Sequence, residues 1–268
     1  MNLNFSEEQV MLKETIQKFC DNDYDFYKRE EVIKSENDFD LNTWNLFAEQ
    51  GWLSMPFSED SGGFGMGPIE LSILFEEFGK ALVIEPYLST IVLSGTLIDN
   101  SSYEHKKDII ERICSGSLHM SLAYAEAKNS YNYNLPSTSL SSDLLLNGTK
   151  NLVLNGGNAN KLVVSCIHNE ELALVIVNAD RDGISMNTFP TVDGQSCAEI
   201  TFENVSINSE DVIGTGDNAL TLLNNSISLA TLCVSAEAVG CMSSCYLKTV
   251  AYTCLLYTSD AADDSLRV

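Results

Sequence analysis

Three histidines, eight cysteines and a run of four glycines are the features of this sequence whose types and spacing could carry chemistry. His105, His119 and His168 share no metal-ligand spacing and read as surface or loop residues, so no metal site is expected. The cysteines, at 20, 114, 166, 197, 233, 241, 245 and 254, contain no CxxC. Most lie inside apolar patterns, as buried thiols do, which fits a reducing cytoplasm better than zinc or a disulfide framework. No Ser-His-Asp or Cys-His arrangement emerges from spacing. The glycine run, Ser61 to Gly67 (SGGFGMG), invites a nucleotide loop. A dinucleotide fingerprint needs a strand before it and an acidic residue after a second strand, whereas a helix and a Pro-containing loop precede this one. It reads as a mobile connection into a helix that starts at Pro68. Glu237, among small residues, reads as part of a solvated or inter-subunit face rather than as a base.

The elements around these residues follow from periodicity. Phe5 to Gln9 (FSEEQ) starts a helix, with Ser6 as N-cap, Gln9 at the capping-box position, and Phe5 and Val10 as a staple. A charged, aromatic linker from Asp21 to Asp38 follows. Asp40 caps a second helix that ends at Gly51. Leu71, Leu74, Phe75 and Phe78 keep helical spacing up to Gly79, and Pro86 to Ile98 is apolar nearly all round, as a buried helix should be. Ser102 can cap a helix carrying Ile109, Ile110 and Ile113 that stops at Gly116.

Strands come next. Asn147-Gly148 and Asn155-Gly156-Gly157 are turn signals enclosing a short strand, Leu152 to Leu154. Lys161 to Ile167, Leu172 to Val177 and Glu199 to Val205 read as further strands. Asp217 to about Thr253 then reads as one helix, roughly 50 Å long. Its stretch from Ser235 to Ser244 is mostly small residues that permit close helix approach. Cys254 to Val268 reads as a foreign tail. Helices followed by strands followed by a helix predict an α+β protein. Its parts are an all-α domain (1–116), a middle antiparallel β-barrel or sandwich (117–212), the first helix of an incomplete bundle (213–253) and the tail (254–268).

Composition excludes some partners. With 38 acidic and 15 basic residues the net charge is −23, which disfavours nucleic acid and anionic membranes. No signal peptide and no apolar run of membrane length is expected.

Several phrases together resemble the acyl-CoA dehydrogenase family. They are Ser61-Gly62-Gly63-Phe64-Gly65, Glu76-Glu77-Phe78-Gly79, Gly116-Ser117-Leu118 leading into Leu122 to Glu126 (LAYAE), and Asn147-Gly148-Thr149-Lys150. Thr191-Val192-Asp193-Gly194, Thr201-Phe202-Glu203-Asn204-Val205 and Ala236-Glu237-Ala238-Val239-Gly240 continue the series in order. Pro86 to Thr90, with Val153-Leu154, is most similar to the pimeloyl-CoA dehydrogenase small-subunit branch. The resemblance implies a cytoplasmic flavoprotein oxidoreductase of fatty acid metabolism. It would bind FAD and an acyl-CoA thioester, transfer a hydride from Cβ to the flavin while a carboxylate takes the α-proton, and act as a homo- or hetero-oligomer.

The same resemblance makes Leu122, Tyr124, Ala125, Glu126, Leu152 and Leu154 the residues facing FAD. By periodicity alone Leu152 and Leu154 are strand-core residues, and Glu126 serves equally as a structural hydrogen-bond partner. The family's Thr-Glu-Pro stands here as Ala125-Glu126-Ala127, its strand Trp and Thr as Leu152 and Leu154, and its Gly-Ser-Asp falls at Ser130 and Tyr131. An Arg often found early in the long helix aligns near Ser228. The catalytic Glu and an FAD-binding Arg are expected beyond Thr253, so the tail, which resembles sequencing-adapter readthrough, marks a truncated chain without turnover of its own. The alternatives are a partner subunit that does not bind flavin and completes the site of a larger one, and a flavin-linked monooxygenase. The electron acceptor is open.

Overall fold

A computed structural model describes residues 4–35, 38–128 and 132–264. Helix α1 (Glu7–Asn22) starts at the capping box that the sequence predicts, with Ser6 Oγ accepting from Gln9 N–H at 3.2 Å and Gln9 Oε1 accepting from Ser6 N–H at 2.9 Å. The stretch 21–38 is not simply a linker. Asp25 caps a short helix, α2 (Phe26–Lys34), which buries none of its side chains. Periodicity gives no sign of it because a helix without a buried face has no apolar stripe. Asp40 caps α3 (Leu41–Glu49), and Gly51 follows in the left-handed conformation that a helix exit requires.

The glycine-rich segment is pinned rather than loose. Phe64, Gly65 and Met66 donate backbone hydrogen bonds to Ser54, Phe57 and Met55, and Asp99 accepts from Ser58 N–H, Ser58 Oγ and Ser61 Oγ. It delivers the chain to α4 (Pro68–Ala81), whose first residue is the predicted proline. That helix runs past Gly79. Its left-handed exit is Leu82, and Gly79 lies inside the helix, where a Cβ would collide with the backbone of Glu237. The predicted buried helix is buried, but with π-type turns over Leu88–Gly95 that continue into α5 (Thr96–Asp99). Helix α6 (Lys106–Cys114) carries Ile109, Ile110 and Ile113 inward. Its N-cap position is His105 rather than Ser102.

Among the described residues eight strands form one mixed sheet: β1 (Met120–Ala123), β2 (Ser139–Leu140), β3 (Leu145–Leu154), β4 (Lys161–His168), β5 (Glu171–Asn178), β6 (Ile184–Pro190), β7 (Ser196–Ser206) and β8 (Val212–Thr215). Most pairs are antiparallel, as expected, yet β1 and β2 both run parallel to β4. The chain leaves β1 through the 124–138 segment and returns along β3, so β4 begins at the end where β1 began. Asn147-Gly148 is not a turn. β3 passes straight through it with a register shift between Leu146 and Gly148, and Gly148 takes φ 145° with Thr138 packed against its Cα. The Asn155-Gly156-Gly157 turn stands as predicted.

Helix α7 (Gly216–Asp264) holds the helical backbone through eleven residues of the predicted foreign tail, from Cys254 to Asp264. Its stretch to Cys254 is long and apolar enough to cross a membrane, in contrast to the sequence expectation. In this fold that stretch lies along α4 and the π-type turns, with Ala219, Leu222, Leu223, Ala230 and Cys233 buried. The small residues do permit close approach, since a Cβ on Gly240 would collide with the carbonyl of Glu76. The helical core extends over one face of the sheet through Leu122, Val163, Leu174 and Ile176, and a second core lies within the sheet around Val164, Ala173 and Ile200.

Candidate functional site

The six residues predicted to face a cofactor meet where the ends of β1 and β3 lie side by side. Asn151 fastens them: its backbone N–H donates to Ala125 O at 2.9 Å, and its Oδ1 accepts from Ala127 N–H at 2.9 Å. Leu122 is buried beneath this junction. Tyr124 and Leu154 are half-buried against the helical core, and the Tyr124 ring meets Tyr133 edge-on with centroids 5.9 Å apart. Burial, followed by the nearby Tyr133 hydroxyl, raises the Tyr124 pKa.

Leu152 departs from its expected place in the strand core. It is 60% exposed with φ 53°, at the register shift between Lys150 and Val153. The extra residues of that bulge turn its side chain out of the sheet. Ser130 and Tyr131 lie outside the described residues.

Glu126 is a structural carboxylate. Oε2 accepts from Ser137 N–H at 2.6 Å, while Oε1 accepts from Thr138 N–H at 3.0 Å, Thr138 Oγ1 at 2.7 Å and Lys150 Nζ at 2.8 Å. Lys150 is wholly buried and also donates to Ser165 Oγ at 3.1 Å. Burial alone would raise the Glu126 pKa. The Lys150 ammonium and the donors of Ser137 and Thr138 outweigh it and hold the carboxyl at about 2. Burial likewise lowers the Lys150 pKa, against the pull of Glu126. With four hydrogen bonds already made, this carboxylate is occupied by the protein, and its function is to tie the 137–138 segment to the sheet.

Sequence reasoning missed Lys150 as the partner, although a signal was present. A lysine at a core-facing position of a strand requires a carboxylate nearby. It also missed Tyr133, whose hydroxyl donates to Asn224 Oδ1 of α7 at 3.1 Å and so bridges the loop after β1 to the long helix. Ser228, aligned with a family arginine, is exposed on α7.

His119 is not a surface residue. Its ring lies between Phe39 and Trp44, with centroids 5.0 and 5.1 Å away, and burial lowers its pKa to about 4. Glu237 is half-buried beside α4 instead of solvated, and burial, then Asp193, raises its pKa. Among the described residues no group of His, Cys, Asp and Glu has the arrangement of a metal site.

Half-buried Tyr124 and Leu154 give the junction an apolar surface. Leu122 lies buried beneath them, and Leu152 stands exposed at the edge. The backbone N–H groups of Ala125 and Glu126 have no acceptor among the described residues. Two adjacent free donors beside an apolar wall suit a heterocycle edge lined with acceptors. None of the six side chains offers a positive charge to a phosphate.

Comparison with known proteins agrees with this architecture. Residues 6–117 match the family described as acyl-CoA dehydrogenase, N-terminal domain. Over 91% of this chain, the mitochondrial isovaleryl-CoA dehydrogenase of Solanum tuberosum is 25% identical. The acryloyl-CoA reductase (NADH) of Anaerotignum propionicum is 24% identical over 90% of it. The chain spans 63% and 64% of the length of these two relatives. Among solved structures, PigA with FAD and proline superposes with a TM-score of 0.85 at 20% identity, covering 94% of this chain and 70% of that one. One chain of the ChsE4-ChsE5 complex from Mycobacterium tuberculosis gives 0.83 at 22% identity, covering 94% and 68%. The helical domain, mixed sheet and long helix are the acyl-CoA dehydrogenase fold. Residues 6–117 are similar to that family's N-terminal domain, and the relatives are similar to the chain over most of its length.

Proposed function

We propose that this chain is the N-terminal part of an FAD-dependent acyl-CoA dehydrogenase that converts an acyl-CoA thioester to the 2-enoyl-CoA. The observation that carries this reading is the β1–β3 junction, where the apolar surface of Tyr124 and Leu154 stands beside backbone N–H groups of Ala125 and Glu126 that have no acceptor among the described residues. Bound there, FAD would supply a two-electron acceptor for the Cα–Cβ oxidation. The chain's own residues would exclude water from one side of the ring and fix its edge through the two backbone donors. The bonds from Glu126 to Ser137 and Thr138 keep that edge rigid. The carboxylate base is assigned to a part of the protein outside this chain, so the chain alone should not turn over. A cytoplasmic location, with a homo- or hetero-oligomeric assembly, belongs to the same proposal.

The test is direct. The parent protein carrying its complete C-terminal part should purify yellow and lose flavin absorbance when a CoA thioester is added anaerobically. A colourless parent that ignores the thioester would overturn the assignment.

Two observations favour a second reading, a partner subunit that does not itself hold FAD and resembles the pimeloyl-CoA dehydrogenase small-subunit branch. None of the six side chains is basic and Lys150 is taken up by Glu126, while the Tyr133–Asn224 bond closes the loop after β1 onto α7. Co-purification with a larger family member separates the two. FAD found only in the mixed complex supports the partner role, whereas FAD held equally by this subunit alone excludes it.

A further inference from the structure

Beneath α2 lies a charged side chain that the proposed function does not use. Glu85 sits in the loop joining α4 to the buried π-type turns and is 5% exposed. Both of its carboxylate oxygens are buried without a well-formed hydrogen bond. Burial favours the neutral form of this carboxyl and outweighs the opposing pull of its own backbone and of the Tyr24 hydroxyl. The Tyr24 hydroxyl, which accepts from Ile84 N–H at 3.1 Å, faces it from the α1–α2 connection. Asp40 and Lys28, paired at 3.4 Å, act on it from the α3 cap and from α2. On the α1 side Cys20 feels the charge of Glu85 together with those of Glu77 and Lys80 from α4.

The segment above Glu85 is held lightly. α2 buries no side chain and leaves Phe26, Tyr27 and Ile33 exposed. It is strapped to the body at few points. Arg29 Nε donates to Leu82 O at 2.8 Å, Arg29 Nη2 donates to Asp193 O at 2.6 Å, and Lys28 pairs with Asp40. Two of these straps, at Leu82 and Asp40, flank Glu85 itself. A helix tied down at few points and without a core face opens far more readily than the whole protein unfolds.

We propose that Glu85 is a proton-operated catch for α2: the strap lies closed over the neutral carboxyl and lifts to admit water once the carboxylate forms. The sign follows from linkage. Burial raises the Glu85 pKa from 4.5 to about 7 in the closed state, while in the open state water restores the ordinary value. The closed state therefore binds more protons between those two values. Closure is strongest below pH 4.5, weakens as pH rises to 7, and is flat above that.

Hydrogen exchange on the full chain, expressed as protection factors so that intrinsic exchange rates divide out, reads this. α2 amides should lose about 80-fold in protection between pH 4.5 and 7, most of the roughly 300-fold limit that the two pKa values set. Amides of α6 should not follow that course. In Glu85→Gln the α2 profile should be flat across the same window. A flat profile in the wild-type chain, or a sloping one that survives in Glu85→Gln, overturns the proposal. Should the variant not fold, carbon-13 titration of the Glu85 carboxyl in the wild-type chain decides: a midpoint near 7 supports the catch and one near 4.5 overturns it.

Discussion

At the residue scale the buried Lys150–Glu126 pair governs the candidate site. Removing one partner strands the other, a loss of about 3–5 kcal/mol in comparable buried pairs. Lys150→Ala should therefore lower the urea-unfolding free energy by about that much and loosen the 137–138 segment. The pair also sets an acid limb. The Glu126 pKa is about 2 in the folded chain against 4.5 without its partners, so its contribution is complete above pH 4.5 and is lost as pH falls toward 2. Unfolding free energies measured from pH 6 to 2.5 should show that decline, and Glu126→Gln should flatten part of it. Leu152 tests the opposite case. It holds a left-handed conformation while 60% exposed, so Leu152→Gly should cost little burial and relieve strain of about 1 kcal/mol, raising the melting temperature or leaving it unchanged. The site itself was only partly legible in the sequence. Ala125, Glu126 and Leu154 do come together at the β1–β3 junction. The occupation of Glu126 and the outward turn of Leu152 depend on a long-range lysine and a bulge, which strand alternation does not reveal.

Elements follow the same division. Where a cap or a stripe is encoded locally, as at Ser6, Asp40 or Pro68, the expected helix forms at the expected place. Where the signal is tertiary, sequence reading fails. Asn147-Gly148 has turn chemistry, yet β7 pairs along β3 and carries it through as strand. β2 and β8 are two and four residues long, too short to show a period, and α2 has no buried face to produce one. The junction of α4 with α7 is the element most exposed to a single change. Gly79 and Gly240 each face the partner helix's backbone, at Glu237 and Glu76, closely enough that a methyl group has no room. Gly79→Ala should be better for an isolated helix by about 1 kcal/mol. Overpacking at the crossing should outweigh that, for a net destabilisation of about 1–3 kcal/mol in urea. A neutral result would mean the two helices can move apart freely.

At the scale of the whole molecule, two opposing terms set how the chain behaves with its own copies. Along α7 the side chains of Val239, Met242, Tyr246, Leu247 and Val250 are exposed, forming an apolar stripe that would gain by leaving water. The net charge of −23 works against any contact between copies, because every approach brings like charges together. Charge repulsion is screened by salt, with a Debye length of about 30 Å at 0.01 M and about 8 Å at 0.15 M, whereas apolar burial is not. The chain should therefore be mostly monomeric at low ionic strength and associate as salt rises, the reverse of assembly driven by ion pairs. Sedimentation velocity at fixed protein concentration across a salt series measures this. Replacing Val239 and Met242 with glutamate should remove the association at every salt concentration, since it shortens the stripe and adds repulsion at its N-terminal end. Association that weakens with salt would instead assign the contact to charged groups elsewhere on the surface.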